Sequence, residues 1–446
     1  MKWEYRLTEL ARIVGVPGHL PDKAFRSVST DTRTLERGDV FFALLGERFD
    51  GGAFVPQAFE KGAVCAVTTR ACDAGPCVVV DDPLAALQQF GAHHRSRYDI
   101  PLIALTGSCG KTMSKDLAAA VLSTRYVVVK TPGNLNNAIG CPLSLLCIDD
   151  NTDVAVIELG ANHVGEIAAL CKLARPTESA ITMVAPAHLE GFGTVEQVAE
   201  AKAEIVDALP GDGVFYVNAD DPRCVRIAER HAGPQVSYGK QGDVVLECCE
   251  PVGGGEMRLT VQPVGDLRLP LVCRAHATNV LLAAAIGLNH GVEEFESPLR
   301  DALAVSPRFR VLRIGPFEVI DDTYNANPAS TAAALQTLGE RSGGPRIAVL
   351  GEMLELGDAA KVLHEQVGML AGGVGVTHLF ARGPHAAVMS AAARAAGVQQ
   401  AECIEDHGEI AEAIRALERP GAVVLVKGSR GMAMEHVIEA LRRYYP

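Results

Sequence analysis

The stretch "LIALTGSCGKTMSKD", Leu102–Asp116, constrains the fold of this chain more than any other. It opens inside the apolar run "IPLIAL", which is too short for a buried helix and suits a buried strand. Two glycines follow, Gly107 and Gly110, and from Lys111 onward a helix is expected. Strand, glycine loop and helix, in that order, let backbone amides curl around a phosphate while the helix N-terminus adds positive potential. Lys111 would meet the β and γ phosphates of a nucleotide, and Thr112 would offer its hydroxyl to Mg²⁺. The common form of this loop has a glycine five residues before the Gly-Lys pair, where this chain has Leu105. An ordinary strand–helix turn with an exposed lysine fits the same residues.

The sequence beyond the loop supports an α/β reading. Apolar runs "VAVIELG", "ESAITMV" and "GVFYVN" read as buried strands, and they alternate with "SKDLAAAVLS", "GEIAALCKLA" and "VEQVAEAKAEIVDAL", whose apolar spacing is helical. Such alternation predicts a doubly wound, mainly parallel sheet over residues 98–306. The segment "LECCEPVGGGEMRLTVQPVGDLRLPLV" departs from it, and its short runs around glycines predict a meander or hairpin at the edge of that sheet. Residues 1–97 hold short apolar runs ("DVFFALLG", "AVCAVTT", "PCVVVDD") broken by Gly, Pro and Asp. Residues 307–446 return to alternation, with "FEVIDD", "RIAVLGE", "THLFARG" and "AVVLVKGS" as strands. The expectation is three α/β domains: a small N-terminal one, the central one with the phosphate loop, and a Rossmann-like C-terminal one.

Composition removes other classes. The 446 residues are 48% hydrophobic and 21% charged, which is a globular composition. The net charge of −13 argues against nonspecific nucleic-acid binding, which needs a basic face. No apolar run is long enough for a membrane span, and the start "MKWEYRLTEL" lacks the apolar centre of a secretion signal. The 12 cysteines include no Cys-x-x-Cys pair, so reduced thiols in a cytoplasm are expected.

In an open α/β sheet the ligand lies beyond the carboxyl ends of the strands. Glu158, ending "VAVIELG", and His188, after "ITMV", fall at the same edge as the loop. Glu158 suits Mg²⁺, which prefers oxygen ligands shared with phosphates. A lone histidine there is more often a structural hydrogen bonder. "GNLNNAIG", with Asn134, Asn136 and Asn137, fits a plain turn or a polar loop over a substrate.

Taken in order, "TGSCGKT", "GNLNNAIG", "VIELGANHVGEI", "PAHLEGFGTVEQVAEAKAEI", "NADDP", "DDTYNANP", "LGEMLELG" and "LVKGSRGMAMEHV" resemble the Mur ligases over nearly the whole chain. The N-terminal "STDTRTLERGDVFFALLGERFDGGAFVPQAFEKGA" is similar to that family's UDP-binding domain. The short glycine loop is the family's own form. The resemblance implies an ATP-dependent amide ligase, with "DDTYNANP" pointing to UDP-N-acetylmuramoyl-tripeptide and D-alanyl-D-alanine as its partners. It implies a UDP-substrate domain over 1–97, an ATP domain over 98–306 and a closing ligase domain over 307–446. A cytoplasmic monomer is expected.

Residue roles follow from the same resemblance. Gly107, Ser108, Cys109, Gly110 and Lys111 would form the ATP phosphate cradle. Thr112 and Glu158 would hold one Mg²⁺, and His188 with a carbamylated Lys202 a second. Asn279 would meet adenine. Arg308, or Arg310 in its place, would reach ATP from the interdomain linker. Asp322, Tyr324, Asn325 and Asn327 would make nucleotide and closure contacts. Asn134, Asn136 and Asn137 would face substrate, as would Lys427, Ser429 and Arg430 in the last domain and Ser29, Asp31 and Arg33 on the uridine side. Charged surface turns fit several of these positions equally well. Cys109, Met113, Ser114, Asp116 and His276 depart from the family's usual residues without removing Lys111, Thr112 or Glu158. A folate-type polyglutamate ligase and a noncatalytic nucleotide-binding scaffold are the rival readings. The N-terminal match opposes the first, and the retained metal-ligand residues oppose the second.

Overall fold

A computed structural model describes residues 3–16, 20–46, 49–253, 255–306 and 308–445. Glu47 and Arg48 of the "GERFDGGAF" loop, and Pro307 in the linker "SPRFRV", lie outside the described residues.

The central sheet has nine strands, in the order Val128–Lys130, Val154–Glu158, Leu102–Thr106, Glu178–Ile181, Val214–Asn218, Gln235–Gly239, Val244–Gly253, Glu256–Gln262 and Gly265–Leu269. Pairings are parallel as far as Val244–Gly253, and the last three strands are antiparallel. The glycine-rich segment after Val244 is therefore the expected edge meander. Chain order turns at Leu102–Thr106: one crossover places Val154–Glu158 on one side of it, and the next places Glu178–Ile181 on the other. That turning point is where an open sheet leaves a crevice for a ligand. Leu105 pairs with Glu158 and Thr106 with Ile181, so Glu158 and the glycine loop leave the sheet at the same edge. Helices Lys111–Leu122 and Ala277–Asn289 pack on one face, where Leu117, Val121, Val280 and Ile286 are buried. Helices Glu166–Ala174 and Val195–Asp207 cover the other. The second of these begins with a capping box between Thr194 and Gln197.

The C-terminal sheet has six strands, in the order Arg310–Ile314, Phe317–Asp322, Val423–Lys427, Arg346–Leu350, His378–Ala381 and Gln400–Cys403. All are parallel except the first. Asp322 pairs with Lys427 at the carboxyl edge. Asn327 then caps helix Pro328–Gly339 by accepting from Ser330 N, with proline at the first helical position, an arrangement contributing about 1 kcal/mol.

Near the N-terminus, Val28–Ser29, Val40–Phe42, Cys65–Thr68 and Cys77–Val79 form a small parallel sheet. Helix Pro83–Arg95 joins it to the central sheet. Trp3 Nε1 donates to Leu146 O at 2.5 Å, and His94 lies between Tyr5 OH (3.1 Å) and Ile148 O (2.8 Å). The core of this part thus includes Leu146 from the central region. Among the described residues no helix is long and apolar enough to cross a membrane.

Candidate active site

The phosphate loop is shaped by two glycines. Gly107 has φ +144° and Gly110 φ +86°. A Cβ at Gly107 would overlap Thr182 Oγ1, and one at Gly110 would press on Asn279 Oδ1. Neighbouring backbone holds the curl. Ser108 N donates to Met183 O (2.8 Å), Ser108 Oγ exchanges hydrogen bonds with Ala185 (2.8 and 3.0 Å), and Thr182 Oγ1 donates to Cys109 O (2.5 Å). Lys111 Nζ folds back onto Gly107 O at 2.7 Å. Its ammonium therefore lies over the loop.

Glu158 is buried at the strand end. Its Oε1 accepts from Asn136 Nδ2 at 2.7 Å, while Oε2 is buried with no hydrogen-bond partner. An unpaired carboxylate oxygen away from water is costly, so this atom keeps its full bonding capacity at the cavity wall. Asn136 thus belongs to the site, and the "GNLNNAIG" segment is a polar loop at the cavity wall as well as a turn, Asn137 Oδ1 accepting from Ile139 N and Gly140 N. Lys115, which sequence reasoning passed over, fixes that loop from beneath. It is buried and donates to Thr131 O (2.9 Å) and Gly133 O (3.2 Å). A lysine within an apolar helix face was the available signal.

The C-terminal domain closes over the loop. Arg308 Nη2 donates to Thr112 Oγ1 at 3.2 Å, and its guanidinium lies 3.2 Å from the centroid of the Tyr324 ring. Asn327 Nδ2 donates to Ser108 O at 3.2 Å. Lys427 Nζ donates to Asp322 Oδ2 (2.5 Å) and Asn325 O (2.8 Å). Burial pushes the Asp322 carboxyl up, and Lys427 with Arg308 opposes that push. Arg310, the competing position, instead pairs with Asp321 at 2.7 Å and is half exposed. Between the two linker arginines, the structure brings Arg308 to the loop.

His188 lines the cavity, and Lys202 is buried behind it, outside the lining. His188 Nδ1 meets Glu355 Oε2 of the C-terminal domain at 2.5 Å. Lys202 is 2% exposed, with Nζ 5.2 Å from the centroid of the Phe192 ring. Burial first, then the Lys111 charge, brings its amine down to about 7, against the pull of Glu204 and Glu166. Glu200 is turned outward to Arg230 (2.6 Å), one helical face away. Glu204 accepts from Gly165 N and Ala168 N and so caps the helix Glu166–Ala174.

One cavity of about 1120 Å³ gathers these parts. Its lining includes Ser108 to Thr112, Asn134, Asn136, Asn137, Glu158, His188, Asn279, Arg308, Asp322, Tyr324, Asn325, Asn327 and Lys427, with Gln88 from the N-terminal part. Asn279 sits under the loop with its amide engaged by Ser114 Oγ (3.1 Å) and Met113 Sδ (3.3 Å). Other predicted residues stand apart from the lining. Ser29 Oγ donates to Asp31 O, and the Arg33 guanidinium pairs with Asp31 at 2.6 Å, holding its carboxyl down to about 2. Ser429 Oγ accepts from Leu354 N, and Arg430 pairs with Glu435. A second cluster, Glu352, His364 and His385, could hold a cation by composition. However, both ring nitrogens of His364 are taken, Nδ1 by Ala360 O (2.7 Å) and Nε2 by Met353 N–H (3.0 Å).

Fold and site define an α/β phosphate-loop ligase. Comparison with known proteins agrees: the Mur ligase middle-domain model matches residues 105–287, the Mur ligase glutamate ligase domain 307–430, and the Mur ligase family catalytic domain 24–92. The chain belongs to the Mur ligase family. It is 36% identical to the UDP-N-acetylmuramoyl-tripeptide–D-alanyl-D-alanine ligase of Escherichia coli, covering 98% of each chain. A crystal structure of MurF from Acinetobacter baumannii superposes with a TM-score of 0.89 at 31% identity, covering 99% of each chain. The MurF ligase of Thermotoga maritima, solved in complex with ADP, gives 0.82 at 27% identity, covering 94% of this chain and 97% of that one.

Proposed function

We propose that this chain uses ATP to join D-alanyl-D-alanine to the terminal carboxylate of UDP-N-acetylmuramoyl-tripeptide, giving the UDP-muramoyl-pentapeptide of peptidoglycan synthesis. The observation that supports it most is the single cavity in which the phosphate loop, the C-terminal cations and the N-terminal helix meet. A carboxylate is a poor electrophile. Transfer of the γ-phosphoryl group to its oxygen gives an acyl phosphate and ADP. The dipeptide amine then adds to the acyl carbon, loses a proton, and phosphate leaves as the amide forms.

The protein's work is positioning and charge neutralisation. The loop amides from Gly107 to Lys111 cradle the nucleotide phosphates. The Lys111 ammonium leaves Gly107 O for the transferring group, and Arg308 approaches from the other domain. The carboxylate–lysine pair Asp322–Lys427 and residues Tyr324, Asn325 and Asn327 bring the C-terminal domain onto the nucleotide. Asn279 stands beneath the loop, on the adenine side. Asn134, Asn136 and Asn137 face the tripeptide carboxylate. Ser29, Asp31 and Arg33 would hold uridine, and Ser429 and Arg430 the incoming dipeptide, from outside the central cavity. Residues 1–97, 98–306 and 307–446 thereby act as UDP, ATP and closing domains.

The donor set fits Mg²⁺, because Glu158 Oε2 is buried and unpaired and the Thr112 hydroxyl lines the same cavity. Bound there, the ion would neutralise charge on the phosphates. His188 would serve a second Mg²⁺ with Lys202, whose buried amine is suited to capture CO₂ as a carbamate. The 12 cysteines include no Cys-x-x-Cys pair, which favours the cytoplasm.

Phosphate release from ATP tests this reading. It is expected only when a UDP-muramoyl tripeptide, ending in diaminopimelate or lysine, and D-alanyl-D-alanine are both present. Release driven by a folate and glutamate, or none with either tripeptide, would overturn it.

A further inference from the structure

His188 and Glu355 meet in an unusual way. Among the described residues, the non-glycines with φ in the left-handed region are Arg175, His188, Phe309, Glu355 and Ala433, and two of these touch each other. His188 has φ +52° and Glu355 φ +64°. Side chains resist that conformation, so a pair of such residues in contact needs a cause outside local preference. Their two segments are tied twice. His188 Nδ1 lies 2.5 Å from Glu355 Oε2, and Glu190 N donates to Glu355 O at 3.0 Å. Gly357 packs against the Glu190 backbone beside them. Glu355 follows the strand Arg346–Leu350 of the C-terminal sheet, whereas His188 belongs to the central one. The Glu355 side chain is 52% exposed, so packing does not require it there.

A carboxylate only accepts hydrogen bonds, so the His188 proton sits on Nδ1. Nε2 then keeps its lone pair, and no other described group bonds to it. The ring lines the cavity near Lys111 and Lys202. Metal-ligating histidines commonly give their second ring N–H to a carboxylate, which fixes ring and tautomer. We propose that Glu355 is a positioning residue that orients His188 Nε2 toward the second cation, so that this cation site is complete only when the C-terminal domain is docked.

This inference rests on the reading of His188 as a cation ligand, and its test separates the two. The full chain is titrated with Mn²⁺ in the presence of a non-hydrolysable ATP analogue, and bound Mn²⁺ is counted by electron paramagnetic resonance. Wild-type protein is expected to bind two ions. Glu355→Ala should weaken one of them by about 10–100-fold and leave the other, and nucleotide affinity, unchanged. Glu355→Gln keeps an acceptor oxygen and should lose several-fold. Circular dichroism checks that both variants fold. Unchanged affinity for both ions in either folded variant overturns the role of Glu355 alone. A single ion in wild type, with nucleotide still bound, overturns the His188 site and this inference with it.

Discussion

Arg308 Nη2 donates to Thr112 Oγ1 at 3.2 Å across 196 residues of sequence, joining the C-terminal domain to the phosphate loop. The guanidinium lies over the Tyr324 ring, while its Nε is buried without a partner. A buried donor in that state has bonding capacity to offer an anionic ligand. The same group thus docks the domain and, in the function proposed above, would meet phosphate oxygens.

Removing it should therefore be felt in the reaction more than in the fold. Arg308→Ala is expected to lower kcat by roughly 10²–10³, the usual scale for one preorganised donor to developing charge. Arg310→Ala should alter kcat little, because its half-exposed pair with Asp321 contributes only about 1 kcal/mol or less. Steady-state kinetics of both variants decide between them. Equal losses would remove Arg308 from its assigned place.

Glu158→Gln tests the first cation position. The amide keeps the size of the side chain and can still accept from Asn136, but it removes the charge at the unpaired Oε2. The expected outcome is a higher Mg²⁺ requirement and a large loss of rate. If the Mg²⁺ titration of turnover is unchanged, Glu158 serves only to anchor the asparagine loop.

Local patterns foretold much of this architecture. The strand–glycine–helix order at Leu102–Leu122, the parallel alternation and the edge meander were all visible, because burial on both faces writes continuous apolar runs. Glu158 was visible because it ends a strand. Lys115 and Glu355 were not singled out. A buried lysine bonded to carbonyls looks like a surface lysine until the helix face is known, and Glu355 meets His188 only through the docking of two domains. Glu200, two residues before Lys202, shows the same limit, for it pairs outward with Arg230. Two positions along a helix point to different faces, so nearness in sequence was not nearness in space.

His94 should make stability depend on pH. Its ring bridges Tyr5 OH and Ile148 O, and burial brings its pKa down to about 4 from 6.5. Above pH 6.5 the ring is neutral in both folded and unfolded chains, so it contributes no pH dependence. Between 6.5 and about 4 the unfolded chain binds the proton and the folded chain does not, so stability falls as pH falls. At pH 5 the loss from this group is about 2 kcal/mol. Urea unfolding at pH 7.5 and 5 measures it. His94→Gln should be less stable at pH 7.5 yet lose less on acidification. An equal loss in variant and wild type would assign the effect elsewhere.

Lys202 offers the sharpest test of the second cation position. Its amine is almost wholly buried, over Phe192, and burial with the nearby Lys111 charge holds it near 7 rather than 10.5. Near neutral pH a substantial fraction is thus the free amine, the form whose lone pair can add to CO₂ with loss of a proton. The neutral fraction rises with pH through 7, so carbamate formation should be favoured above that pH and lost below it. Lys202→Ala is expected to be nearly inactive, because neither a cation ligand nor an anionic oxygen remains. Acetate or formate should restore part of its activity by occupying the vacated space, and Lys202→Met, which fills that space with an apolar chain, should not respond. Ligation assays across carboxylate concentration, with folding checked by circular dichroism, decide the matter. A folded Lys202→Ala enzyme at full activity without added carboxylate, or wild-type enzyme indifferent to CO₂ depletion, would remove the carbamate from the mechanism.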